Sequence, residues 1–113
     1  MTTYEYIEKI GVPLWMSGFD ALADAIDILK DALKNNESPT IVDINRKLCS
    51  KYHTSAIAVD KTLRRAVEYA VARKKTHDSL YFEVLGGYVG RSTIPLKQFL
   101  YISARYLLRE EMK

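Results

Sequence analysis

Apolar side chains recur every three or four positions along most of this chain, which is the spacing of one face of an α-helix. The first such segment runs from Thr3 to Ile10, and we expect it to end at Gly11-Val12-Pro13 because glycine and the residue before proline disfavour helix. Ser17 is placed to cap a longer second helix, with Asp20 completing a shortened capping box. The second helix has an apolar face made of Phe19, Leu22, Ala23, Ile26, Leu29 and Leu33, and an opposite face, most simply a solvated one, made of Asp20, Asp24, Asp27 and Asp31.

A third and a fourth helix follow, separated by a tight turn at His53-Thr54. Thr40 is placed to cap the third helix, predicted from about Ile41 to Tyr52, and the fourth is predicted at about 55–74. The residues predicted to be buried in this pair are Ile41, Ile44, Leu48, Tyr52, Ala56, Val59, Leu63, Ala66, Val67 and Ala70. The opposite face of the fourth helix carries Ile57, Lys61, Arg64, Arg65 and Glu68. Ala56 and Cys49 are the small residues nearest to the turn.

The C-terminal third is less regular. The run LYFEVL at 80–85 is compatible with a short helix or an isolated strand, because a short apolar run cannot be assigned by periodicity alone. A glycine-punctuated loop follows, and Thr93 is placed to cap a last helix with Pro95 in its first turn. The last helix presents Phe99, Ile102, Tyr106 and Leu107 to the core or to a partner, and Tyr101 and Tyr106 are candidates for a dimer contact. The pattern predicts an all-α fold of about six helices, without a wing of strands, in a single domain over 1–113.

Charge is distributed unevenly along this pattern. Residues 1–45 carry three basic and eight acidic side chains, residues 46–75 nine and two, and residues 76–113 five and four. The net charge of +3 therefore conceals a strongly basic segment that coincides with the third and fourth helices. Such a segment suits a polyanionic partner.

Several classes of protein are not expected. No apolar run approaches the roughly 20 residues of a membrane span, and the N-terminus lacks the pattern of a signal peptide, so we expect a cytoplasmic protein. Cys49 is the only cysteine, and His53 and His77 have no second ligand at zinc spacing, so neither a disulfide nor a metal site is expected. The loop from Gly86 to Ser92 departs from a phosphate-binding loop in spacing and has Arg91 in place of lysine. No catalytic constellation stands out, and we expect neither an enzyme nor a cofactor.

The basic helix pair at about 41–75 is typical of a helix-turn-helix whose second helix enters the major groove of double-stranded DNA. Ile57, Ala58, Lys61 and Arg64 then project outward from its N-terminal turns. Lys61 and Arg64 can donate to guanine O6 and N7, and Ile57 can contact a thymine methyl group. The alternatives are an ordinary helical hairpin with a solvated basic face, and a protein–protein interaction module with a basic face and a dimerising C-terminal helix.

Phosphate contacts are predicted around this face, because cations and polar groups there add affinity without reading sequence. The predicted phosphate contacts are His53, Thr54 and Ser55 in the turn, Arg65, Arg73, Lys74 and Lys75 on or after the fourth helix, and Arg91 in the later loop.

The chain also resembles a known family, the C-terminal DNA-binding effector domains of the sporulation initiation response regulators of the stage-zero sporulation protein A type. The resemblance covers nearly the whole chain. It is carried by IEKIGVP at 7–13 followed by Gly18-Phe19, by SKYHTSA at 50–56, by Val59 through Ala66 with Arg64, and by Gly87-Tyr88.

The resemblance implies a six-helix effector domain that binds promoter elements, as tandem copies or as a homodimer, and regulates transcription. It places base contacts at Asp60, Lys61 and Arg64, beside Ile57 and Ala58. The family usually has serine, arginine, glutamate and arginine where this chain has Ile57, Ala58, Asp60 and Lys61, so the family's DNA site is not carried over. The family's phospho-acceptor receiver domain has no counterpart in these residues. The expected location is the cytoplasm, at the nucleoid when bound to DNA.

Overall fold

A computed structural model describes residues 1–73, 79–88 and 91–113, so the predictions made at Lys74, Lys75 and His77 lie outside the described residues. Every regular element in these ranges is helical and none is a strand, which confirms the all-α prediction. The run at 80–85 belongs to a helix. The elements are α1 (Thr3–Ile10), α2 (Gly18–Lys34), α3 (Ile41–Tyr52), α4 (Ala56–Ala72), α5 (Ser79–Leu85), a 3-10 turn (Gly86–Tyr88) and α6 (Leu96–Glu111).

Helix α2 lies at the centre and packs against α1, α3, α4 and α6. It can do so because small and large apolar side chains cover most of its circumference, and these residues are buried: Phe19, Ala21, Leu22, Ala23, Ala25, Ile26 and Leu29. Its first residue, Gly18, lies so close to α4 that a Cβ atom there would be 2.9 Å from both the Ala66 Cβ atom and the Thr62 carbonyl oxygen. A glycine is therefore what allows the start of α2 to pack directly on α4.

The predicted cap of α3 is confirmed. The Thr40 hydroxyl accepts a hydrogen bond from the Asp43 N–H at 3.1 Å, and the Asp43 carboxylate accepts one from the Thr40 N–H at 3.1 Å. The bond from the Thr40 N–H lowers the pKa of the Asp43 carboxyl group, because it favours the ionised form. Thr2 and Glu5 form the same reciprocal cap on α1.

Two other predicted caps are wrong. Ser17 has helical dihedral angles (φ −58°, ψ −27°) and makes no side-chain capping bond, because the chain enters α2 through turns in which Met16 N–H bonds to Pro13 O and Phe19 N–H to Met16 O. Thr93 does not cap α6, since the position before the first helical residue is occupied by Pro95.

Polar contacts between helices fix their packing at three places. The Tyr6 and Ser103 hydroxyl groups share a buried hydrogen bond of 2.7 Å between α1 and α6. The Thr3 hydroxyl donates to Asp27 on α2 at 2.6 Å, so the aspartate face of α2 is not simply a solvated one. Lys30 and Lys34 of α2 both form ion pairs with Glu111 at the end of α6.

The two tyrosines predicted as dimer contacts have partners within the chain. The Tyr101 hydroxyl donates to the Pro39 carbonyl oxygen at 2.9 Å, and the Tyr106 ring lies 5.8 Å from the Tyr6 ring. None of the helices in the described ranges has the length and apolar character that a membrane span requires.

Candidate nucleic-acid interface

The link between α3 and α4 is three residues long and tightly hydrogen-bonded. His53 adopts left-handed dihedral angles (φ 51°, ψ 47°), which end α3 and turn the chain, and the Thr54 N–H donates to the Cys49 carbonyl oxygen at 3.1 Å. Ser55 then caps α4 by accepting a hydrogen bond from the Ala58 N–H at 3.1 Å. All three linker residues are exposed, so the predicted phosphate contacts of the turn are at the surface.

Helix α4 has one buried face and one open face. The predicted apolar stripe is confirmed, because Val59, Leu63, Ala66, Val67 and Ala70 are all buried. The opposite face brings together exposed side chains at helical spacing: Ile57, Lys61, Arg64, Arg65 and Glu68. Ile57 is 72% exposed, which is unusual for so apolar a residue and leaves its side chain available to a partner.

Four predictions about burial and bounds in the third and fourth helices are wrong. Ala56 is exposed rather than buried, and Ile41 is only partly covered. Tyr52 reaches past the core to donate a short hydrogen bond to Asp24 on α2. Arg73 is not part of the helix but its C-cap, with α4 ending at Ala72.

Asp60, a predicted base contact, is engaged by two neighbours. Its carboxylate accepts a hydrogen bond of 3.2 Å from the Asn45 amide on α3 and one of 2.7 Å from the Arg64 Nε atom one turn further along α4. Asn45 is only 5% exposed, and its side-chain carbonyl oxygen has no partner. The buried amide thus holds a carboxylate, which in turn holds the guanidinium group of Arg64 at the surface.

Sequence reasoning missed Asn45. Asn45 adjoins Ile44 and precedes Leu48 by about one helical turn, and a polar residue so close to two inward apolar positions was the available signal. Its partner, however, lies 15 residues away on another helix. Only the crossing of α3 and α4 brings the two side chains together.

Lys51 and Tyr52, at the end of α3, join the basic α3–α4 pair to the acidic helix α2. The Lys51 ammonium group lies 2.8 Å from the Asp24 carboxylate, and this hydrogen bond raises the pKa of Lys51. Partial burial and the bond to Asp24 raise the pKa of the Tyr52 hydroxyl group as well. Asp24 therefore joins the C-terminal end of α3 to α2.

Two of the predicted phosphate contacts are cations stacked on aromatic rings. The Arg73 guanidinium group lies 5.4 Å from the centre of the Tyr69 ring, and that of Arg91 lies 5.5 Å from the Tyr88 ring. The loop that follows Arg91 borders α4, since Thr93 to Leu96 line a small cavity together with Arg64, Val67 and Glu68. Arg65 is exposed.

In the part of the chain that the structure describes, no group of three or more histidine, cysteine, aspartate or glutamate residues is placed to hold a metal ion. Comparisons of this chain with protein-family models, with curated proteins and with solved structures found no match.

Proposed function

We propose that this chain is a sequence-specific DNA-binding domain that regulates transcription, with α3, the three-residue turn and α4 acting as a helix-turn-helix. The observation that carries the proposal is the open face of α4, where Ile57, Lys61 and Arg64 are exposed in adjacent turns while the other face is core. An α-helix about 10–12 Å across fits a major groove about 12 Å wide.

Three exposed side chains of this face match groups that the bases of DNA offer. Lys61 and Arg64 donate hydrogen bonds to guanine, and Ile57 contacts a thymine methyl group. Ala58 is half-buried and offers only its methyl group to the same kind of apolar contact. Asp60 contributes to base recognition through Arg64, whose guanidinium group it orients.

The proposed phosphate contacts lie around this open face of α4. The turn at 53–55 lies at the N-terminal end of α4, where its backbone N–H groups and the helix dipole favour an anion. Arg65, Arg73 and Arg91 supply positive charge further along. Within this proposal the chain is an effector domain of the sporulation-initiation type, with a DNA site of its own because of the departures at Ile57, Ala58 and Lys61.

The alternative, a protein interaction module that dimerises through α6, has one observation in its favour. A largely apolar groove between α2 and α6 is lined by Leu33, Ile102, Leu108 and Met112 together with Arg105 and Arg109, and Met112 is 86% exposed. This groove lies on α6 rather than on α4, so a homodimer through it is compatible with DNA binding as well.

A salt titration of binding to a random-sequence duplex tests the function. We expect affinity to fall steeply with salt, with a log–log slope of about −0.9 for each phosphate neutralised. Replacing the exposed Arg65 by alanine should reduce that slope by about 1. Lys113→Ala, which removes an exposed cation beyond the end of α6, serves as the charge-matched control and should leave the slope unchanged. Absence of binding at low salt would favour the interaction module.

A further inference from the structure

Trp15 is the most exposed aromatic side chain among the described residues and the only tryptophan of the chain. It is 76% exposed, and its neighbour Leu14 is 65% exposed. Tryptophan is usually well covered in a folded protein, so a tryptophan this exposed, next to an exposed leucine, indicates a surface that meets a partner.

The loop that carries Trp15 is held firmly in place. Gly11 ends α1 in the left-handed region (φ 119°), where its N–H donates to the carbonyl oxygens of Ile7 and Glu8. Val12 is buried, and Gly18 packs against α4 at the far end of the loop. Trp15 is therefore presented by a short, anchored segment.

Trp15 lies beside the open face of α4. Its ring meets the Tyr69 ring edge to face, with the ring centres 6.0 Å apart, and the Arg73 guanidinium group lies over the same tyrosine. Tyr69 is one helical turn from Arg65 in one direction and from Arg73 in the other. The indole ring thus lies beside a row of basic and aromatic side chains, Arg65, Tyr69 and Arg73, that begins on the open face of α4.

The position around the helix indicates what the ring would meet. At about 100° per residue, Tyr69 lies about 80° from Lys61 around α4. If Lys61 points to the floor of the groove, the direction of Tyr69 points to a groove wall, which is sugar–phosphate backbone.

We propose that Trp15 is a contact for the DNA backbone at the groove wall on the Tyr69 side. The indole ring packs on deoxyribose, and its Nε1–H donates to a phosphate oxygen. The inference rests on the proposed DNA-binding function.

The charge around Trp15 favours DNA over a protein partner. Among the described residues, the adjoining groove, about 440 Å³ in volume, is lined by Lys9 and Arg73 and by a single carboxylate, that of Glu8. Its exposed large apolar side chains, within the same described ranges, are Leu14 and Trp15, which is little for a protein interface of about 800 Å² per partner.

Intrinsic fluorescence tests the contact directly, because Trp15 is the only tryptophan. A duplex labelled with a fluorophore that does not overlap indole emission reports binding by anisotropy in the same titration. We expect Trp15 emission to change in step with the anisotropy, and acrylamide quenching of Trp15 to decrease in the complex. Emission and quenching that stay constant while the duplex binds would overturn the inference and leave the proposed function standing.

A variant series gives the energetic test. Trp15→Ala should weaken binding about three- to tenfold, the net contribution of about one hydrogen bond, and equally on random and selected duplexes because backbone contacts carry no sequence information. Trp15→Phe keeps an aromatic ring for packing on deoxyribose but lacks the indole N–H, so it should recover part of the loss. Phe82→Ala removes an aromatic side chain, about half exposed, from α5, outside the α3–α4 pair, and should have no effect on binding.

The remaining outcomes are also decisive. A Trp15→Ala variant that binds both duplexes like the wild type would overturn the inference. A change of Trp15 emission with protein concentration alone would assign the patch to a second copy of this chain and overturn it as well. Failure of the wild type to bind DNA at low salt would remove the proposed function first.

Discussion

Asp60 illustrates how neighbours decide the role of a single residue. It is one of five predicted base contacts on α4, yet its carboxylate lies between the Asn45 amide and the Arg64 guanidinium group. The ion pair is exposed and joins residues one turn apart, so it contributes little to stability. Its consequence is geometric, because a side chain with many rotamers is held in one direction before it meets a base.

The orienting role of Asp60 predicts a loss of specificity without a loss of affinity. Asp60→Asn should reduce discrimination at the base read by Arg64 by about 1 kcal/mol, part of the 1–3 kcal/mol that a good bidentate contact provides. Affinity for random DNA should rise slightly, because one negative charge is removed. Binding to a panel of single-base variants of a selected site measures both quantities.

Glu68→Gln is the matched control, since Glu68 is an exposed carboxylate on the same face of α4. It should raise affinity for random DNA in the same way and leave discrimination intact. Equal losses of discrimination in the two variants would show that charge, rather than the position of Arg64, is responsible.

Among the secondary-structure elements, the N-terminal ends of α2 and α3 show how similar sequences can differ in capping. Ser17 and Thr40 both precede an amphipathic segment and both have an aspartate three residues later. Only Thr40 has the extended backbone (φ −81°, ψ 166°) that directs its hydroxyl group to the first turn. At Ser17 the backbone is already helical, because the chain enters α2 through the hydrogen-bonded turns between Pro13 and Phe19.

This difference predicts unequal effects of two similar substitutions. Thr40→Ala should lower the free energy of unfolding by about 1 kcal/mol, since it removes the acceptor for the Asp43 N–H. Ser17→Ala should change it by less than about 0.5 kcal/mol, as a surface substitution without a cap does. Urea denaturation followed by circular dichroism compares the two, and equal losses would contradict the assignment of the caps.

At the scale of the whole molecule, α1 and α6 are joined by a hydrogen bond between residues 97 positions apart. Tyr6 and Ser103 are both fully buried, and burial raises the pKa of the Tyr6 hydroxyl group. Each hydroxyl group is the other's partner, so neither is left unpaired in the core.

The pairing predicts coupled effects on stability. Ser103→Ala should cost about 1–3 kcal/mol because it leaves the Tyr6 hydroxyl group buried without a partner. Adding Tyr6→Phe to that variant should cost less than Tyr6→Phe costs in the wild type, with a coupling energy of about 0.5–3 kcal/mol. Ser50→Ala, at an exposed position on α3, is the control. Additive effects in thermal or urea unfolding would exclude the coupling.

The helices and the polarity of their faces follow from the amino-acid sequence alone. The bounds of α1 and α3, the buried stripe of α4 and the Thr40 cap follow from local spacing, because residues three or four apart share a face whatever the rest of the chain does. The exposed basic face of α4 follows for the same reason. The segment at 80–85 was too short for its period to distinguish helix from strand.

Contacts between side chains on different helices arise only from the way the helices pack. The Asn45–Asp60–Arg64 chain, the Tyr6–Ser103 pair and the position of Trp15 on Tyr69 each depend on the crossing of two elements. Periodicity carries no information about such crossings, since they are set by the shapes of the packed surfaces, such as the contact that Gly18 permits between α2 and α4.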